Sequence, residues 1–207
     1  MDSQKTPEGG KERRNGMRII GGLARGRAIV APPGEKTRPT QEYVRESLFN
    51  IIRWDLEDAR VLDLFAGTGA LSLEALSRGA AEAVLIDMDR DACAAIRKNM
   101  ETTRLGDRCR LIARDYKQAM EGLAREGKPF DVVFIDPPYR MEDTGEMCAR
   151  LMDMGLLSDA FLILVEHRRG MPPLLDLRFE AFDLRKYGDT EITFVRRARG
   201  KETAVDA

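Results

Sequence analysis

The chain has 207 residues, 43% of them hydrophobic, enough to bury one full core, and its length favours a single domain with elements added at one end. No apolar run approaches the roughly 20 residues needed to span a bilayer, so no membrane partner is expected. The net charge of −1 hides an asymmetry: residues 1–45 hold 10 basic and 5 acidic side chains, residues 46–166 hold 15 and 23, and residues 167–207 hold 9 and 7. An acidic body with a basic N-terminal piece suggests a polyanion partner, although a solvated surface with a basic tail accounts for the composition equally well.

Residues 1–16 lack the apolar stretch of a secretory signal and have the Gly, Lys, Glu and Ser content of a disordered basic tail. "MRIIGGLARGRAIVAPPG" reads as two short strands around glycine turns, a β-hairpin. Thr40 is positioned to cap a helix through "QEYVRESLFNIIRWDL", where Tyr43, Val44, Leu48, Ile51 and Ile52 fall at helical spacing. These elements form an extension over 17–56.

From residue 57 to 198 the pattern alternates. The strands "RVLDLF", "EAVLID", "CRLIA", "FDVVFI" and "AFLILVEH" are separated by the amphipathic helices "ALSLEALSRG", "RDACAAIRKNMETT", "YKQAMEGLARE" and "TGEMCARLMDMG". Near-continuous apolar strands between helices mark a parallel sheet covered on both faces, so a doubly wound α/β fold is predicted. "EAFDLRKYGDTEITFVRR" adds an antiparallel terminal hairpin, and 199–207 is a flexible tail. Cys93, Cys109 and Cys148 are odd in number and form no C-x-x-C pair, as expected of reduced thiols in a cytoplasmic protein. The single histidine, His167, cannot build a histidine-rich metal centre, and neither H-E-x-x-H nor G-x-S-x-G occurs; no metal and no Ser-His-Asp triad are expected.

Doubly wound sheets bind ligands beyond the carboxyl ends of their strands. The first such loop is "DLFAGTGALSLEA", with Phe65, Ala66, Gly67, Thr68 and Gly69 at the turn and Asp87 ending the next strand. That layout fits a nicotinamide dinucleotide, but Ser72 replaces the third glycine of G-x-G-x-x-G, and Asp63 would oppose a pyrophosphate. S-adenosyl-L-methionine has no phosphate and carries an ammonium and a sulfonium, so an acid at 63 favours it. Asp87 is expected to accept from the ribose hydroxyls, with Met88 on the adenine. Asp115 is expected to accept from the adenine amine beside Tyr116, its alternative role being a helix N-cap.

The fourth strand runs into Asp136-Pro137-Pro138-Tyr139. An exocyclic base amine is a weak nucleophile because its lone pair is delocalised into the ring. Two acceptors aimed at its N–H bonds, the Asp136 carboxylate and a backbone carbonyl of the corner, would localise that lone pair. Each proline fixes its own φ, and Pro138 holds Pro137 extended, so the carbonyls are preorganised. Tyr139 offers a face on which an extruded base can stack. No Pro-Cys pair is present for cytosine C5 chemistry.

The chain resembles the RsmD-type methyltransferases, which modify guanine N2 of small-subunit ribosomal RNA. The likeness rests on "RIIGG" followed by "GR", "RPT" at Arg38 to Thr40, "VRESLFN", "VLDLFAGTGALSLEALSRGA", Asp87 followed by "MDR", Asn99, "DPPY" and "YGDT". It implies a Rossmann-like class I methyltransferase fold, an S-adenosyl-L-methionine cofactor, and ribosomal RNA or a small-subunit assembly as partner. It also implies that the Pro137 carbonyl is the second acceptor. The ribose acid, often glutamate in such proteins, is aspartate here. A monomer is expected, with Arg18, Arg25, Arg27, Arg38 and Arg45 as candidate phosphate contacts, although Arg45 could equally pair with Glu42 or Glu46. Two rivals remain: a DNA adenine-N6 methyltransferase, for which the chain has little room for a target-recognition region, and a non-catalytic RNA-binding or assembly protein, against which Asp63 and Asp136 speak.

Overall fold

The computed structural model describes residues 16–32, 39–138 and 143–199. The tails before Gly16 and after Arg199 lie outside this range, as do Arg38 and Tyr139.

A seven-stranded sheet organises the chain, in the order β3-β2-β1-β4-β5-β7-β6. β1 (Arg60–Asp63), β2 (Glu82–Asp87), β3 (Cys109–Ala113), β4 (Phe130–Ile135) and β5 (Leu157–Arg168) are mutually parallel. β6 (Phe179–Tyr187) and β7 (Thr190–Arg197) form the terminal hairpin, with β7 antiparallel to β5. Gly188, at φ 64°, makes its turn in a left-handed conformation that side chains disfavour. The order reverses between β1 and β4, so the crevice at their carboxyl ends is the switch point where such sheets hold ligands.

Side chains alternate between two apolar layers. Leu62, Val84, Val133, Ile135, Ile163 and Val165 face α4 (Tyr116–Glu126) and α5 (Thr144–Asp153). Val61, Leu85, Phe134 and Leu164 face α2 (Ala70–Ser77) and the extension; Ile96 of α3 (Arg90–Thr103) belongs to the same layer. Met17, Ile19, Leu48, Phe49 and Ile52 share this second layer, so residues 17–56 pack into the core of the sheet.

Two local expectations are corrected. α1 runs Pro39–Ile51, so Thr40 lies inside the first turn and the helix opens on proline, whose missing N–H costs nothing there. The N-terminal hairpin is present in short form: an antiparallel bridge from Arg18 to Ala28, with Ile19 N donating to the Arg27 carbonyl, Gly26 N to the Ile19 carbonyl and Ile29 N to the Met17 carbonyl. Four further backbone amides around its turn are taken up by α2. Ile20 and Gly21 donate to the Glu74 carboxylate at 2.7 and 2.8 Å, and Leu23 and Ala24 donate to Ser77. Glu74, fully buried, also faces Arg45 and Arg78 at 3.9 and 2.6 Å. The strand β5 begins at Leu157, earlier than the apolar run suggests, through a register shift opposite Phe130 and Val132.

Candidate active site

Each parallel strand delivers an acid to the carboxyl edge of the sheet. In spatial order these are Asp115 after β3, Asp87 ending β2, Asp63 ending β1, Asp136 after β4 and Glu166 near the end of β5. Four belong to the set expected from sequence; Glu166 does not.

Asp63 is buried, and its Oδ2 accepts from the Ser72 hydroxyl at 3.0 Å. Its Oδ1 is buried without a hydrogen bond of normal geometry. Burial pushes the carboxyl up to about 7; the Ser72 hydroxyl and the Phe65 amide pull the other way, and the charges of Asp136 and Asp87 add to the rise. A half-satisfied buried acid is costly without a cation, and the ammonium of S-adenosyl-L-methionine would remove that cost. Ser72 thus holds the acid in place where dinucleotide folds carry a glycine.

The loop after β1 is built for close approach. Gly67 has φ 54°, and a Cβ there would meet nothing within 4 Å, so this backbone faces open space. Gly69 has φ 74°, and a Cβ would come within 2.9 Å of the Leu85 side chain, so this glycine serves helix–strand packing. Thr68 and Ala66 are buried. Asp87 fastens the loop, its Oδ2 accepting from Gly67 N and its Oδ1 from Asp89 N, both at 2.8 Å. One amide per oxygen leaves lone pairs for a ribose diol. Met88 is exposed beside it.

Asp115 is the N-cap of α4, accepting from Lys117 N at 2.9 Å. The cap reading is therefore correct; the carboxylate retains acceptor capacity for a ligand. Tyr116 is buried and its ring packs on Phe65 at 5.1 Å between centroids, giving that end of the crevice an aromatic wall. These residues fit the cofactor: an unsatisfied acid for its cation, an open glycine for its backbone approach, and carboxylates for its hydroxyls and amine.

Asp136 is exposed and follows β4, which pairs with β1 so that Phe134 lies opposite Asp63. Pro137 is half-buried and Pro138 exposed. Asp136 acts electrostatically on both Asp63 and Glu166.

The arginines divide. Arg25 is exposed, and Arg18, 62% exposed in its side chain, pairs loosely with Glu42 at 3.6 Å. Arg27 donates to the Thr103 carbonyl, tying the extension to the end of α3. Arg45 is corrected: it is buried, donates to the Arg18 carbonyl at 2.5 Å and faces Glu74, so it holds the extension and does not meet phosphate.

Asn99, quoted above only within the resemblance, has a structural task. From α3 it donates to the Thr68 and Val30 carbonyls and accepts from Val30 N, joining the glycine loop to the extension.

The family described as "Conserved hypothetical protein 95" matches residues 17–196. Ribosomal RNA small subunit methyltransferase D of Escherichia coli (strain K12) is 45% identical over 75% of this chain and 78% of that protein. The chain belongs to this family, the RsmD-type methyltransferases. The putative rRNA methyltransferase YlbH of Bacillus subtilis (strain 168) is 35% identical over 74% of this chain and 83% of that protein. The solved structure of yhhF from Escherichia coli superposes with a TM-score of 0.76 at 40% identity, covering 88% of this chain and 98% of that one. The RsmD-type match runs through the extension and the terminal hairpin as well as the parallel strands.

Proposed function

We propose that this protein transfers a methyl group from S-adenosyl-L-methionine to the exocyclic N2 amine of a guanine in small-subunit ribosomal RNA, in the cytoplasm. The observation that carries the reading is the placement of Asp136-Pro137-Pro138 at the end of β4, beside β1, whose own end bears the half-satisfied Asp63. The relative named for methylation of small-subunit ribosomal RNA supports the choice of substrate.

When bound, the cofactor supplies an electrophilic methyl on a sulfonium. Asp63 would hold its cationic end, and Gly67 would leave room for it against the loop. Asp87 accepts from the ribose hydroxyls, Met88 packs on the adenine, and Asp115 accepts from the adenine amine beside the Phe65–Tyr116 wall. Asp136 and the Pro137 carbonyl accept from the two N–H bonds of the guanine amine and draw its lone pair out of the ring. The two prolines hold that carbonyl so that little reorganisation is left for the moment of transfer. Asp136, or water, would take the proton that the amine loses once methylated. Alignment supplies most of the acceleration. Tyr139, outside the described residues, is assigned the stacking face. Arg18 and Arg25 supply phosphate contacts, and the extension 17–56 covers the cofactor and orients RNA.

Labelled cofactor, ribosomal RNA, partly assembled small subunits and duplex DNA distinguish the rivals. Methyl mapped to a guanine N2 is the expected result; label in DNA adenine would refute it. Asp136→Ala should lower transfer by about 10²-fold or more while cofactor affinity stays near that of the unsubstituted protein; unchanged turnover would remove the catalytic assignment.

A further inference from the structure

Glu166 lies near the end of β5, on the strand next to the one that carries Asp136. Ile135 pairs with Val165 on the adjacent parallel strand, which sets Asp136 beside Glu166 at the next step. Ile135 and Val165 both face the α4–α5 layer, whereas Phe134 and Leu164 face the layer of the extension. Alternation therefore sends Asp136 and Glu166 to the same side of the sheet, and Ile192, the β7 partner of Glu166, belongs to that layer too. Glu166 is half-buried, and Asp136 is the neighbour whose charge it feels. Burial, and then that charge, push its carboxyl up to about 8, as two acids sharing one environment require. On the far side of Asp136, at the end of β1, lies the buried Oδ1 of Asp63, the group assigned above to the cofactor's cation, so Asp136 would stand between the methyl donor and Glu166.

A guanine entering this edge presents three donors in a row, N1–H and the two N2–H bonds. Adenine presents the two hydrogens of its amine beside N1, a lone pair. Asp136 and the Pro137 carbonyl serve the amine in either base and cannot discriminate. A third acceptor next to Asp136 can.

We propose that Glu166 accepts the N1–H of the target base and thereby selects guanine over adenine. This deepens the guanine-N2 reading and rests on it. The sulfonium that Asp63 would hold beside Asp136 offsets the charge of that acid and so favours the ionised, accepting form of Glu166. An ionised carboxylate rewards N1–H and repels the lone pair that adenine would place there.

The test uses small-subunit RNA in which the mapped target guanosine is replaced by 2-aminopurine or 2,6-diaminopurine riboside. Both keep the 2-amine and exchange N1–H for a lone pair. The unsubstituted protein should methylate these RNAs with kcat/KM about 10²-fold or more below that of the guanine RNA. Glu166→Gln, which matches the neutral acid in shape and offers an amide donor to the lone pair, should shrink that preference at least tenfold while cofactor binding is kept. Equal use of guanine and 2-aminopurine RNA by the unsubstituted protein overturns the proposal, as does a Glu166→Gln protein that retains the full preference. No transfer to the guanine RNA would instead refute the activity itself, so the two failures are told apart.

Discussion

Asp63 shows how a residue can serve a ligand at the expense of the fold. Its carboxyl is raised from the ordinary 3.8 to about 7, chiefly by burial. Because the folded protein holds the proton more tightly than the unfolded chain, folding takes up a proton between these two values. The contribution of Asp63 to stability is therefore greatest at acid pH, falls as pH rises across that window and is level above it. Asn at this position carries no charge and escapes the penalty. Asp63→Asn should thus gain on the unsubstituted protein between pH 5 and pH 8 by about 2 kcal/mol, read from urea unfolding at the two values. The same substitution should weaken cofactor binding by at least about tenfold, since one acceptor for the cation loses its charge. A stability gap that does not widen with pH would show that Asp63 is ionised at little cost.

At the scale of elements, one helix braces the short hairpin of the extension. Glu74 of α2 takes the Ile20 and Gly21 amides and faces Arg45 and Arg78 within a single buried cluster. Removing it leaves two guanidinium groups and two amides short of acceptors. Glu74→Ala should cost about 3 kcal/mol or more, and amide exchange at Ile20 and Gly21 should accelerate out of proportion to the rest of the core. The inner parallel strands β1, β2 and β4 are legible from sequence because burial on both faces leaves near-continuous apolar runs, whereas the edge strand β3 is half open and is legible mainly by its place between two helices. The glycine loop, Asp63, Asp87 and the proline corner were legible because they sit at strand ends, where the topology places ligands. Glu166 carries the same signal at the end of "AFLILVEH". Its partnership with Asp136 depends on which strands pair and in what register, and no local pattern encodes that. The bracing of the hairpin by α2 and the burial of Arg45 are hidden for a related reason: the partners, Glu74 and Ser77, lie more than 25 residues away, on a helix whose polar side chains look like ordinary surface until it is packed.

Across the whole molecule, the acids and the basic residues occupy different territories. The carboxyl edge of the sheet holds Asp115, Asp87, Asp63, Asp136 and Glu166, a field that suits a cationic cofactor and opposes a polyanion. An RNA strand must therefore be held from outside that edge, and only a base drawn from the strand should enter it. Among the phosphate contacts proposed within the described residues, Arg18 and Arg25 remain accessible, whereas Arg27 is tied to Thr103 and Arg45 is buried. Each true phosphate contact adds about −0.7 to −0.9 to the slope of log affinity against log salt. Arg25→Ala should flatten the slope for RNA by about that amount and weaken binding uniformly across sequences. Arg45→Lys should leave the slope unchanged and lower thermal stability instead, because its side chain grips the Arg18 carbonyl and Glu74. Filter binding of ribosomal RNA across a salt series reads both. A slope unaltered by Arg25→Ala, or altered by Arg45→Lys, would reverse the assignment of which arginines meet RNA and which hold the extension in place.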